Sequence, residues 1–169
     1  MEAIDIWIAP VVRWAATTDL SRFMQQQSTW TYATLETLHL FGMILLLGTV
    51  GVFDLRVLGF AKSIPPGALH RLIPWGIAGF VLNVVTGGLF VIGNPAQYAY
   101  NPAFRVKLAL IALAGLNLLL FYAAAFRGVQ ETAAGADARL PGRIVTGISL
   151  SAWLGVAICG GLVTSGFFG

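Results

Sequence analysis

Four long apolar stretches, separated by short polar connectors, dominate the chain. They cover about residues 31–58, 72–92, 104–126 and 144–168. Each stretch reaches the roughly 20 residues that a helix needs to cross the hydrocarbon of a bilayer, and a helix is required because lipid offers the backbone no hydrogen bonds. The pattern predicts an all-α membrane protein in which residues 30–169 form a bundle of four transmembrane helices.

Residues 1–29 are too polar to cross a membrane, but they carry a helical pattern of their own. Apolar residues recur there at helical spacing, at Ile4, Ile8, Val11, Val12 and Ala15, with Trp7 and Trp14 nearby. This pattern predicts an amphipathic helix lying in the membrane interface on the periplasmic side, followed by a second short turn capped by Asp19. Since Glu2 and Asp5 stand where a signal peptide carries basic residues, we expect the first residues to be retained.

The composition agrees with a membrane protein and excludes several other classes. Of the 169 residues, 57% are hydrophobic and 10% are charged, and the mean hydropathy is +0.81, whereas soluble domains carry about 25% charged residues. No room remains for a soluble catalytic domain, and no phosphate loop, nucleophile elbow or metalloprotease signature occurs. The single cysteine, Cys159, lies in an apolar stretch and predicts a buried thiol rather than a disulfide or zinc site.

Basic residues lie at the ends of the apolar stretches and predict an orientation. Those beside the first and third connectors are Arg56, Lys62, Arg71, Arg127, Arg139 and Arg143, whereas the second connector, 93–102, carries no charge. Because arginine and lysine in short loops are retained in the cytoplasm, both termini are predicted to be periplasmic, in a multi-pass protein of the bacterial inner membrane. The net charge of +3 then reflects orientation rather than binding to nucleic acid.

Ionisable residues inside the predicted spans are few, and each is costly to bury in lipid. Glu36 and His39 are three residues apart and share one face of the first helix. A rise of 1.5 Å per residue places them about 8 and 12 Å below the periplasmic start of that helix. Lys107 enters the third span from the same side, at a depth that predicts an ion pair with Glu36. A structural ion-pair cluster is predicted at the cytoplasmic end, from Asp54, Arg56 and Arg71.

Five glycines fall at a depth similar to that of His39, namely Gly42, Gly87, Gly88, Gly160 and Gly161. They either let helices pack closely or leave room for a flat ring beside His39, as in membrane sites for haem b. A haem held between His39 and His70 is excluded, because about 25 Å of membrane separates the two histidines. His39 would therefore bind haem iron alone, with a weaker ligand, or opposite the same residue of a second subunit in a two-fold dimer.

The same residues suit other functions. His39 and Glu36 can exchange protons with a bound quinone, because both residue types titrate near neutral pH in suitable surroundings. In a cofactor-free structural or assembly protein, these two residues and Lys107 would join helices. A carrier for copper or another small solute is less favoured, since the spans contain few methionine and cysteine ligands. The leading prediction is a small, non-catalytic electron-transfer or anchoring subunit of redox metabolism, with haem b or a quinone near His39 and a periplasmic redox partner.

Several short motifs are spread over about residues 30–155. They are Leu35-Glu-Thr-Leu-His-Leu-Phe-Gly42, Gly48, Phe53-Asp-Leu-Arg-Val-Leu-Gly59, Leu72-Ile-Pro-Trp75, Thr86-Gly87, Asn101-Pro-Ala-Phe-Arg-Val-Lys107 and Asn117. Together they resemble an uncharacterised family of bacterial four-helix membrane proteins, which implies the fold but no established role. Relatives often carry a histidine at the position of Tyr122 and an arginine near Gly161, which implies that a haem site using either position is lost here. A more distant architectural likeness is to copper-resistance membrane domains and small b-type cytochromes.

Overall fold

The computed structural model describes residues 3–133 and 135–165, which form helices joined by short connectors. The first three helices are α1 (Ala3–Ala16), α2 (Asp19–Gln25) and α3 (Thr29–Leu58). A single turn, α4 (Pro66–Leu69), leads through a 3-10 turn (His70–Leu72) into α5 (Ile73–Gly93), and the short α6 (Pro95–Ala99) follows. The next helix, α7 (Pro102–Leu120), continues through a π-helical turn (Phe121–Ala125) into α8 (Phe126–Gln130), and the last described helix is α9 (Leu140–Thr164).

The predicted number of long helices is confirmed for the described part of the chain. Four helical segments are long and apolar enough to cross a membrane, namely α3, α4 with α5, α7 with α8, and α9. All four begin earlier than predicted, and three of them have a proline in the first turn, namely Pro66, Pro102 and Pro141. The first turn of a helix tolerates proline because the missing N–H would have no partner there. Residues 166–168, predicted as the end of the fourth span, lie outside the described residues.

Two helix pairs make up the bundle. Along the chain, α3 packs against α5 and α7 against α9, and contacts between α3 and α9 join the pairs, whereas the described parts of α5 and α7 lie apart. The first pair is close because glycines meet: a Cβ atom on Gly79 would lie 2.6 Å from the carbonyl oxygen of Gly42. Small residues of this kind let helix backbones approach each other. The bundle is therefore tight along α3 and α5 and open between α5 and α7.

The two ends of the bundle are built differently. Around α6, at what we call the α6 end, α1 packs against α6 and α2 against α5. At the opposite end, which we call the Arg56 end, Arg56 is 1% exposed and its guanidinium donates to the backbone carbonyls of Ile64, Lys62 and Ala136. An apolar core lies at the same end, formed by Phe53, Val57, Phe121, Ala125, Val129 and Ala138. Arg56 thus ties both connectors at this end to α3.

The helical prediction for residues 1–29 is confirmed where the structure describes them, although their place in a membrane interface stays a prediction. The predicted cap of the second short helix is wrong. Thr18 caps α2, because its Oγ1 atom accepts a hydrogen bond from the Ser21 N–H at 3.2 Å, and Asp19 is the first residue of the helix. An ion pair between Asp5 and Arg105 connects α1 to α7.

Large apolar side chains cover the outside of the long helices. Examples on four of them are Ile44, Val81, Leu119 and Ile158, each more than half exposed. A continuous apolar surface of this size is unstable in water and compatible with contact to lipid. The thiol of Cys159 is buried inside the bundle, as predicted.

Candidate functional site

A cavity of about 760 Å³ lies at the α6 end of the bundle, among α3, α5, α7 and α9. Its volume falls in the range of about 300–1,000 Å³ that is typical of small-molecule sites. Six of the predicted site residues line it, namely Glu36, His39, Gly87, Lys107, Gly160 and Gly161. The structure therefore brings together residues from four helices that are far apart in the sequence. We call this space the His39 cavity.

The imidazole of His39 is held by a hydrogen bond across the α3–α5 contact. Its Nδ1 atom lies 2.7 Å from Oγ1 of Thr86. The Thr86 hydroxyl donates its one hydrogen to the carbonyl oxygen of Leu82 at 2.7 Å, so it accepts from His39. This network assigns the proton of the neutral imidazole to Nδ1 and leaves Nε2 as an acceptor. None of the hydrogen bonds within residues 3–133 and 135–165 uses Nε2.

The predicted ion pair between Glu36 and Lys107 is not among the ion pairs that the structure describes, which have N–O distances of 4.0 Å or less. Both residues line the His39 cavity, but from different walls. The reason is the arrangement of the helices, since α3 and α7 are not packing neighbours in the described bundle. Nζ of Lys107 instead approaches α9, 3.5 Å from where a Cβ atom on Gly160 would lie.

Tyr98 belongs to the cavity although the sequence did not indicate it. It lies on α6, its ring packs against Phe104 with centroids 5.3 Å apart, and it lines the cavity near Glu36. Burial raises the pKa of Tyr98, and neighbouring Tyr32 and Glu36 raise it further, so the phenol keeps its proton and acts as a donor. The sequence feature that could have indicated Tyr98 is Pro95, which begins the short helix on which Tyr98 lies.

The five predicted glycines have different surroundings. Gly87, Gly160 and Gly161 line the His39 cavity. A Cβ atom on Gly87 would lie 3.4 Å from Cε1 of His39, so this glycine leaves room for the imidazole. Gly42 instead packs against α5, and Gly88 has open space beside it with no atom within 4 Å of a built Cβ. The predicted opening beside His39 therefore involves three of the five glycines.

The predicted ion-pair cluster of Asp54, Arg56 and Arg71 is not among the ion pairs that the structure describes. Arg56 hydrogen-bonds to backbone carbonyls, Arg71 is exposed, and no ion pair among these three residues is described. Two residues apart on one helix, Asp54 and Arg56 point to different sides, which keeps them from pairing directly. The ion pair found at this end joins Lys62 to Asp137, with 2.8 Å between Nζ and Oδ1.

His70 lies at the Arg56 end, as its sequence position predicted. Its Nε2 atom is 3.2 Å from the hydroxyl of Tyr122, and its ring packs against Phe126 with centroids 5.0 Å apart. Along the helical rise, about 24 Å separates residue 70 from the level of Thr86, the partner of His39. The two histidines of the chain thus lie in separate parts of the bundle.

A metal centre built from several side chains is not evident in residues 3–133 and 135–165, where no group of three or more histidine, cysteine or acidic residues could hold an ion. In the described wall of the His39 cavity, His39 is the one imidazole. It is therefore the one residue there with the nitrogen donor that a haem iron prefers.

Comparison with known proteins provides no relative from which a function could be transferred. No protein-family model, no curated protein and no solved structure matches this chain. The resemblance of residues 30–155 to a family of bacterial four-helix membrane proteins therefore stays a prediction from the sequence. The His39 cavity and its side chains are therefore the features of the chain that indicate a function.

Proposed function

We propose that this chain is a small membrane subunit of redox metabolism that binds a quinone or its quinol in the His39 cavity. We place the cavity in the periplasmic half of a bacterial inner membrane, with both termini in the periplasm. The observation that carries the proposal is the Nε2 atom of His39, an acceptor without a described partner beside a cavity of about 760 Å³. The other walls are largely apolar, with Met43 and Phe90 among them, and suit a lipid-soluble ring.

The polar residues of the cavity divide into acceptors and donors. A quinone takes up two electrons with two protons, and it has an oxygen at each side of its ring. His39 accepts a hydroxyl proton of the quinol at Nε2, while Thr86 keeps the imidazole in the required tautomer. Glu36 is exposed and accepts the second proton. Tyr98 and Lys107 carry donors for the ring oxygens.

The electrons need a partner, because the polypeptide itself has no redox group suited to this exchange. We assign that role to a periplasmic haem or iron–sulfur protein, which takes two electrons in succession from the quinol. His39 and Glu36 hold the two protons that remain. Because the partner takes the electrons and this chain takes the protons, the chain is a binding and proton-transfer subunit rather than a complete enzyme.

Binding of decylubiquinol tests the proposal directly. The purified protein in lipid nanodiscs is titrated with decylubiquinol by calorimetry under anaerobic conditions. His39→Ala removes one acceptor, and Glu36→Gln replaces the carboxylate by a neutral amide that cannot take up a proton. We expect each to weaken binding about tenfold, since a hydrogen bond to a charged or ionisable group contributes about 1.5 kcal/mol. His70→Ala is the matched control, because this histidine lies at the other end of the bundle, and it should leave binding unchanged.

Unchanged binding in the double variant His39→Ala, Glu36→Gln would reject the quinone site. A different result is that neither the wild type nor the double variant binds the quinol and the double variant unfolds at a lower temperature. His39 and Glu36 would then stabilise a cofactor-free structural or assembly protein. The measurement therefore separates the two classes of function.

Haem b is the second candidate, and the same unpaired Nε2 atom favours it. An imidazole whose Nδ1 atom is fixed by a hydrogen bond is the usual form of a histidine that ligates a metal. His39 would hold the iron, and Lys107 would neutralise a carboxylate of the macrocycle. A Soret band that forms on haem addition in the wild type and in His70→Ala, and is lost in His39→Ala, is the expected spectrum. The absence of a Soret band in all three proteins would exclude this candidate.

A further inference from the structure

A second, smaller cavity of about 180 Å³ lies among α3, α5, α7 and α9, nearer to the Arg56 end. Five aromatic rings line it, those of Phe53, Phe80, Phe121, Tyr122 and Trp153. Asp54 is the one acidic residue in its described wall, and that wall contains no lysine, arginine or histidine. The cavity therefore combines an apolar interior with one carboxyl group, and we call it the Asp54 cavity.

One oxygen of the Asp54 carboxyl group lacks a protein partner. The residue is 3% exposed, and its Oδ2 atom has no hydrogen bond within the described residues. Ser149 is the polar side chain beside the carboxyl group. Asn117 donates one amide hydrogen to the carbonyl of Val145 at 3.0 Å, and Thr146 donates its hydroxyl hydrogen to that of Gly142 at 3.0 Å, so neither of these described bonds goes to Asp54. A buried carboxylate oxygen without a donor is strongly unfavourable, so a donor from outside the protein would stabilise it.

We propose that the Asp54 cavity binds a small hydrophobic amine in its ammonium form. The ammonium group donates a charge-assisted hydrogen bond to Oδ2 of Asp54. The aromatic rings surround the apolar body of the ligand, and their faces attract the positive charge. The cavity has room for one six-membered ring, because cavities of about 150 Å³ in other proteins bind benzene.

The ligand reaches the cavity from the side. Ile77 on α5 and Leu118 on α7 both line the cavity, and both are more than half exposed on the outer surface, where the two helices lie apart. A molecule dissolved in a bilayer would therefore enter between α5 and α7 without crossing the bundle. Phe121 and Tyr122 reach the cavity from the π-helical turn, and such turns occur frequently at functional sites.

Benzylamine and benzyl alcohol form the matched pair of probes that tests this proposal. They have the same ring and nearly the same size, but at pH 7 the amine is charged and donates three hydrogens, whereas the alcohol is neutral. Their dissociation constants for the wild-type protein in lipid nanodiscs are measured by calorimetry. We expect the amine to bind about tenfold or more tightly than the alcohol, as for a hydrogen bond between charged groups.

The variants locate the site of that preference. Asp54→Asn keeps the shape of the side chain and should remove the preference for the amine, whereas Asp137→Asn removes an exposed carboxylate at the same end and should preserve it. Equal affinities of the two probes for the wild type would overturn the proposal, and this comparison needs no variant. A preference for the amine that persists in a folded Asp54→Asn protein would overturn it as well.

Discussion

Hydrogen bonding divides the polar side chains of the long helices into two groups. Most donate to the backbone of their own helix, as Thr49 does to the carbonyl of Leu45 at 2.7 Å and Thr37 to that of Ala33 at 2.8 Å. These groups are satisfied locally and stabilise the helix surface. His39 and Asp54 combine two features, because each has one polar atom without a described partner and each lines a cavity. Asn83 and Arg56 also have a buried polar atom without a described partner, but neither residue lines either cavity. An unsatisfied polar atom on a residue that lines a cavity, rather than polarity as such, marks each of the two candidate binding sites.

At the residue scale, we predict that Asp137 makes stability depend on pH. The hydrogen bond from Lys62, 2.9 Å from Nζ to Oδ2, lowers the pKa of this carboxyl group, and the charges of Lys62, Arg143 and Arg56 lower it further. A lowered pKa in the folded state gives stability that is complete above the ordinary value of about 3.9 and is lost as the pH falls through the lowered value. The effect is small, since both side chains are about half exposed.

The measurement is the unfolding temperature of wild type and Asp137→Asn in detergent. The variant should unfold at a lower temperature at pH 7, and the difference should disappear as the pH is lowered below about 4. Glu131→Gln serves as the control, because it removes an exposed carboxylate for which the structure describes no ion pair. A difference that grows on acidification would contradict the assigned direction.

The sequence predicted part of the candidate site at residue level. Glu36, His39 and Lys107 could be found because ionisable residues are rare in apolar stretches and stand out there. Tyr98 could not, because its contribution depends on the turn that α6 makes after α5. The free acceptor on His39 was equally hidden, since it follows from the bonding of Thr86 to two partners in space.

At the scale of helices, we predict that the α3–α5 contact is sensitive to a single methyl group. A Cβ atom on Gly79 would lie 2.6 Å from the Gly42 oxygen and 2.8 Å from the Leu46 nitrogen, both backbone atoms. Gly79→Ala must therefore push the helices apart, and we expect a loss of about 1–3 kcal/mol in the free energy of unfolding.

Gly88→Ala is the matched control on the same helix. No atom lies within 4 Å of a Cβ built on Gly88, so alanine should be neutral or should stabilise α5 by up to about 1 kcal/mol through its higher helix propensity. Unfolding in a denaturing detergent series gives both values. Equal stability of the two variants would show that the glycine contact contributes little.

Helices were predictable in number and approximate length because length and hydropathy decide them. Their first turns were not, since Pro66, Pro102 and Pro141 act as breakers inside a helix but are accommodated at its start. The π-helical turn at Phe121–Ala125 also escaped prediction. The π-helical turn depends on how one extra residue packs against neighbouring helices. The periodicity of the sequence does not indicate such packing.

At the scale of the whole molecule, we predict an orientation with the Arg56 end in the cytoplasm. Cysteine is introduced at two exposed positions, Ala96→Cys at the α6 end and Ser63→Cys at the Arg56 end. A membrane-impermeant thiol reagent should label the first in intact spheroplasts and the second after the membrane is opened. The wild type is the control, because its Cys159 is buried. Labelling in the opposite order would reverse the orientation.

The buried guanidinium of Arg56 has a consequence for assembly of the chain during synthesis. Its hydrogen bonds to Lys62 and Ile64 can form as soon as α3 is complete, but its bond to Ala136 joins residues 80 positions apart. Until the second helix pair has been made, the guanidinium of Arg56 therefore lacks its Ala136 partner. An unpaired donor is unfavourable in an apolar environment. Docking of the late pair onto the early pair supplies the Ala136 carbonyl, so the hydrogen bonding of Arg56 favours association of the two helix pairs in this arrangement.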